Sequence, residues 1–217
     1  MTWRLLRALP FAAYNLVPLY GLMYWGWDAF QLLLLYWCET LILAFWTLIR
    51  IRFLPVQYLG TIEINGKKTA GTYWNMISFF ALHAGAFIFA HLAVLFSLFP
   101  RNRPASVEWS VLPDGGWIAL LIAFVSGGFI ALTGDYRPAF VDRIAASFNT
   151  QMRPPPPPPK DNDAVGGLVM GLYARIVLTQ CALIFGAWLS TEGATAPLII
   201  IIVVKTLFDL LARVARA

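Results

Sequence analysis

Long apolar runs separated by short polar breaks dominate this chain. At about 20 residues per span and 1.5 Å of rise per residue, six stretches read as helices made for lipid: Phe11 to Gly26, Ala29 to Ile49, Tyr73 to Phe99, Gly115 to Thr133, Gly167 to Leu189 and Ala196 to Val214. The first is short and broken by Asn15 and Pro18, a pattern that also suits a re-entrant segment. The third is long enough to cross at a tilt. The pattern predicts an all-α integral membrane bundle of about six transmembrane helices, as a single domain over residues 1–217.

The breaks carry their own signals. "TIEINGKKT" sets β-prone residues on either side of Asn65-Gly66, which predicts a small hairpin. The segment 134–166 contains "QMRPPPPPPKDND". Pro154 to Pro159 can join neither a helix nor a sheet ladder and predict a polyproline II spacer of about 3.1 Å per residue; binding a partner is the other use of such a run. Asp28 and Asp114 precede the second and fourth spans, where a carboxylate caps the free amides of a helix start. Trp25, Trp27, Trp109 and Trp117 fall near span boundaries and predict an aromatic belt. Ser126 in "VSGGF" reads as one of a set of small residues that let helices approach, rather than as a nucleophile.

The N-terminal "MTWRLLRALPFAAYNLVPLYG" has the basic start of a signal peptide. Pro18 interrupts its apolar run, no A-x-A site closes it and another span follows at once, so a retained first helix is expected. No internal repeat supports an inverted-repeat transporter.

Composition agrees with the pattern. Hydrophobic residues make up 59% and charged residues 12%, against about half and a quarter in soluble domains, and the mean hydropathy is +0.69. Lipid is the implied solvent and the first partner. Cys38 and Cys181 both lie in apolar runs, which argues against a disulfide framework and a cysteine-pair zinc site. The net charge of +5 comes from residues flanking the spans and does not point to nucleic acid. With the N-terminus inside, twelve of these cations (Arg4, Arg7, Arg50, Arg52, Lys67, Lys68, Arg137, Arg143, Arg153, Lys160, Arg213 and Arg216) fall on the inner side and two, Arg101 and Arg103, outside. The positive-inside rule then puts both termini and the proline-rich loop in the cytoplasm of a bacterial inner membrane.

Ionisable groups within spans are the main functional signal, because each costs about 2.5 to 3.5 kcal/mol at mid-bilayer on insertion scales. They are Glu39, His83, His91, Arg175, Lys205 and Asp209. Counted from the cytoplasmic ends, most fall between the inner interface and the midplane, so a shared polar cluster is allowed. Lys205 and Asp209 are four residues apart and can pair on their own helix. Arg175 has no local acid and must reach Glu39 or Asp209 on another helix, or snorkel. Glu39, in "YWCET", must be paired or protonated. His83 and His91 are eight residues apart, about 12 Å along a helix and about 80° around it. They cannot share one metal ion or form a bis-histidine haem within one chain. Each could hold a metal or haem with another ligand, relay protons, or make an interhelical hydrogen bond. Both rings are expected to face the helices rather than lipid, His83 beside the layer of Glu39. No G-x-S-x-G, H-E-x-x-H or P-loop occurs, so the chain leans away from an enzyme.

The succession "NLVPLYGLMYWGW", "LLLYWCET", "FFALHAGAFIFAH", "RIVLTQCALIFGAW" and "KTLFDL" resembles an uncharacterised family of bacterial multi-pass membrane proteins, known only as a domain of unknown function. The resemblance rests on Y-W-x-E, H-x7-H and K-T-x-x-D-L elements and implies the six-span class without an activity. It also implies a histidine in the fifth span, where this chain has Gln180, which leaves a three-histidine metal site incomplete.

Glu39, His83, His91, Arg175, Gln180, Lys205 and Asp209 thus form the candidate polar cluster, with His83 and His91 as metal candidates and the cofactor unknown. The expected role is translocation of a small solute or proton, or service as an accessory subunit beside a membrane-protein partner or a second copy. The alternative is an intramembrane metal- or haem-dependent enzyme using His83, His91 and Glu39. The topology has a direct check. In spheroplasts, the variant Pro156→Cys should resist membrane-impermeant thiol reagents added from outside, and labelling there would overturn the orientation.

Overall fold

The computed structural model describes residues 16–64, 66–99, 115–134, 136–152, 154, 164–189 and 196–214. Among them are seven helices: α1 over 16–24, α2 (Ala29–Phe53), α3 (Tyr73–Leu98), α4 (Gly116–Thr133), α5 (Ala139–Ser147), α6 (Ala164–Leu189) and α7 (Ala196–Val214). A 3-10 turn, Val56–Tyr58, and a hairpin of β1 (Thr61–Ile64) and β2 (Lys67–Ala70) lie between α2 and α3. Four helices, α2, α3, α4 and α6 over Ala164–Cys181, are long and apolar enough to cross a membrane, while the apolar part of α7, Leu198–Leu207, is shorter. The chain is therefore an all-α, multi-pass membrane protein. Residues 11–15 of the predicted first span and 155–159 of the polyproline run lie outside the described residues.

The chain divides into two compact units, one of residues 1–42, 87–126 and 174–217, the other of 43–86 and 127–173. In the first unit α2 is the hub. It packs Leu32 and Tyr36 against Leu22 of α1 and Leu198, Ile201 and Ile202 of α7. On other sides it packs Leu35 against Ala119 and Leu120 of α4, and Phe30, Leu33 and Leu34 against Leu95 of α3. A helix surrounded this way has no polar face to present, which is why the sequence can run Leu32-Leu33-Leu34-Leu35. Half of its membrane window is buried, against 28 to 33% for α3, α4 and α6. Those helices turn large side chains outward, as α4 does with Leu121, Val125 and Phe129 at four-residue steps, a stripe suited to lipid.

Asp28 caps α2 as expected. Its Oδ1 accepts from the Gln31 amide at 2.8 Å, and the Gln31 side chain accepts from the Asp28 amide at 3.1 Å, a capping box. The aromatic belt is only partly realised. Trp27 is 4% exposed and sits in the core with Leu35 and Ala119. Gly21 makes this possible, since a Cβ there would stand 2.3 Å from the indole. Trp117 is exposed, while Trp109 and Asp114 lie outside the described residues.

In the second unit the expected hairpin forms, pairing Thr61 with Ala70 and Glu63 with Lys68. Gly66 turns it at a φ of 75°. Its stem is held by the Tyr73 hydroxyl, which donates to the Leu54 carbonyl, while the Arg52 guanidinium lies 5.2 Å from the centre of the Tyr73 ring. Helix α5 lies within the segment read from sequence as a loop. The small residues of "VSGGF" do what close packing requires: a Cβ on Gly127 or Gly128 would meet the Trp46 indole of α2 at 2.5 and 2.8 Å.

An indole is rigid and cannot give way like the end of a flexible chain. Gly127→Ala is expected to cost about 1 to 3 kcal/mol, read as a lower apparent melting temperature in detergent. Adding Trp46→Leu should recover part of the loss. An unchanged melting temperature in the single variant would contradict this packing.

Candidate functional site: a buried carboxylate held by two cations

Glu39, Arg175 and Lys205 occupy middle positions on α2, α6 and α7. Glu39 is the eleventh of 25 residues in α2, and Lys205 the tenth of 19 in α7. Glu39 lies ten residues from the start of α2, about 15 Å along the axis. All three side chains belong to the first unit.

One carboxylate oxygen gathers both cations. Arg175 Nη2 donates to Glu39 Oε2 at 2.7 Å, and Lys205 Nζ stands 2.9 Å from the same atom. The glutamate is 1% exposed and the lysine 6%. Lys205 Nζ also lies 4.7 Å from the centre of the Tyr36 ring. Tyr36 and Glu39 are three residues apart on α2 and therefore share a face, so the aromatic ring and the carboxylate receive the same ammonium. The Y-W-x-E element thus has a physical reading: ring and acid on one face, with Trp37 turned elsewhere.

Trp37 does turn elsewhere, and its Nε1 donates to the Ile88 carbonyl of α3 at 2.7 Å. Together Trp37, Thr40, Ile88, His91, Ile176 and Thr179 line a small cavity among α2, α3 and α6, with room for about one water. The Thr40 hydroxyl donates back to the Tyr36 carbonyl, which leaves its lone pairs to accept. His91 Nδ1 lies 2.6 Å from the Phe87 carbonyl. A carbonyl only accepts, so Nδ1 carries the hydrogen, and in the neutral ring Nε2 presents a lone pair. His91 Nε2 and Glu39 Oε1 are both buried and have no hydrogen-bond partner among the described residues.

The ion pair that the cost of a buried arginine demanded is present, between Arg175 and Glu39. Lys205 joins it, which the i, i+4 spacing to Asp209 did not suggest; the Asp209 side chain lies outside the described residues. Gln180 is half-buried on α6. The two histidines part company. His91 is 7% exposed and belongs to the unit of Glu39, whereas His83 is exposed and belongs to the other. His83 stacks on Phe79 and meets the edge of Tyr173, each at 5.5 Å between centroids. The expectation that both rings turn inward thus holds for His91 alone; His83 turns outward between two aromatic rings. No group of three His, Cys, Asp or Glu placed to hold a metal occurs among the described residues. Thr179, which sequence reasoning missed, was visible as the residue one turn beyond Arg175.

Removing one partner of a buried ion pair costs about 3 to 5 kcal/mol. Glu39→Gln takes the acid from both cations, whereas Lys205→Met leaves the bond to Arg175. The first is expected to lower the apparent melting temperature more than the second. The reverse order would mean that the carboxylate is not the centre of the network.

A model describing a family of unknown function (DUF6498) matches residues 2–217. No curated protein and no solved structure matches the chain.

Proposed function

We propose that this chain, which belongs to the DUF6498 family, moves protons across a bacterial inner membrane through the layer of Glu39, Arg175 and Lys205, with His91 as the neighbouring proton acceptor. The proposal includes six spans with both termini cytoplasmic, as the distribution of lysine and arginine favours.

One observation carries the reading. Two acceptors, Glu39 Oε1 and His91 Nε2, are buried without a partner among the described residues. Buried polar atoms in proteins are seldom left so, and what completes an acceptor is a hydrogen: on a water, or as a proton on the group itself. A proton taken at Oε1 turns the carboxylate into a neutral acid and removes the charge attraction to Arg175 and Lys205. Its release restores the pairs. The layer therefore has two electrostatic states that differ by one proton, which is what a gated proton path needs. At His91, Nδ1 is engaged by the Phe87 carbonyl, so a proton comes and goes at Nε2.

Purified protein in liposomes with an entrapped pH indicator tests this under an imposed potassium diffusion potential. Proton flux above that of protein-free vesicles is expected. Glu39→Gln should abolish it, and His91→Gln should lower it by about tenfold or more, the usual scale for losing a positioned proton-transfer group. Folded protein without flux would reject the reading and leave that of an accessory subunit. A Soret band or stoichiometric metal in the same preparation would favour the enzyme alternative.

A further inference from the structure

Helix α5 is a short element with an unusual surface. Placed at 100° per residue, Phe140, Ile144, Phe148, Val141 and Ala145 fall in one arc, and Asp142, Arg143, Ala146 and Ser147 in the other. Within the apolar arc the structure makes a further division. Val141 and Ala145 are half-buried against the rest of the unit, whereas Phe140, Ile144 and Phe148 are 42, 53 and 76% exposed. Three large apolar side chains one turn apart are thus left open on the same edge.

The helix is also a finished element. Pro138 stands at its start and Asp142 in its first turn. At its end, Asn149 takes a left-handed φ of 54°, and the amides of Phe148, Asn149 and Thr150 return to the carbonyls of Ala145 and Ala146. The end is closed by its own chain, so Phe148 is held in place without a partner.

Its surroundings say what covers the open edge. Phe140 meets Phe53, the last residue of α2, at 6.3 Å between centroids. Only residues 134–138 separate α5 from the end of α4, a reach of about 18 Å at most. Both α2 and α4 are membrane-crossing helices, so α5 is held at the rim where spans leave the lipid. The charges of the unit favour an anionic surface there. Arg137, its side chain largely buried, bonds the Asp142 carboxylate at 2.6 Å, and Lys68 stands across the hairpin from Glu63; Arg52, Lys67 and Arg143 are exposed. An apolar edge on a unit whose exposed charges are mostly cationic suits the membrane interface.

We propose that α5 lies flat in the headgroup region of an anionic leaflet, with Phe140, Ile144 and Phe148 inserted toward the acyl chains and the neighbouring cations at the lipid phosphates. The α5 surface is then a lipid-binding surface of the protein, independent of the Glu39 layer.

The test uses the full chain with Cys38→Ala and Cys181→Ala, reconstituted in nanodiscs of phosphatidylcholine with or without phosphatidylglycerol. A nitroxide is placed by Ile144→Cys or Phe148→Cys on the apolar edge, or by Ala146→Cys on the opposite face. Power saturation should show the labels at 144 and 148 open to oxygen and shielded from a water-soluble nickel complex, with nickel access at least about threefold lower than at 146, as insertion into the acyl boundary requires. The labels should sit deeper when phosphatidylglycerol is present, and Arg143→Gln should narrow that difference. Nickel access at 144 and 148 equal to that at 146 would overturn the proposal. So would dipolar broadening between labels of two copies, which would make the edge a protein interface. Equal depth in both lipids would overturn the anionic specificity.

Discussion

A carboxylate in the middle of a lipid-embedded helix needs company, and the rest of this structure depends on who provides it. In lipid the hydrophobic effect does not choose one register of helix against helix, because acyl chains are as apolar as leucine. Arg175 and Lys205 make that choice. By converging on Glu39 Oε2 at 2.7 and 2.9 Å they fix where α6 and α7 stand along α2. A shift of one residue, about 1.5 Å, would pull a charge off its partner in a place where no water replaces it.

The packing of α2 follows from that role. A helix that must receive partners on several sides cannot keep a lipid face, and its leucine run is buried against α1, α3, α4 and α7. Several of its polar groups are bonded close by. Asp28 and Gln31 close its start, Thr40 and Thr47 return their hydroxyls to carbonyls one turn back, and Trp37 ties it to α3. Glu39 Oε1 on α2 and His91 Nε2 on α3 are acceptors without a partner among the described residues, and the functional reading grows from them.

Much of this was legible in the sequence, for reasons that differ from element to element. Span positions follow from the length of apolar runs, and Tyr73–Leu98 and Gly116–Thr133 differ from the expected ends by a single residue. The Arg175–Glu39 bond followed from cost, since an arginine at that depth has few places to go. Lys205 was harder, because a nearby Asp209 offered a sufficient local partner and sequence spacing cannot weigh a local pair against a distant one. The inward turn of His91 and the outward turn of His83 depend on which face of α3 meets a neighbour, and an almost uniformly apolar helix carries little record of that. Trp27 went astray because position near a span end is evidence for an interface only if no glycine opens the core to the ring. Helix α5 hid in a segment whose prolines and charges spoke for a loop, although Phe140, Ile144 and Phe148 were already spaced by four.

The spacing of Arg175 and Thr179 on α6 has a mechanical meaning. The two residues are one turn apart, the first gripping the carboxylate on α2 and the second walling the cavity beside His91. They are carried by one stiff rod, so any twist of α6 about its axis that slackens the grip also swings the wall of the cavity. The charge layer and the cavity are in that sense geared together through the turning of one helix.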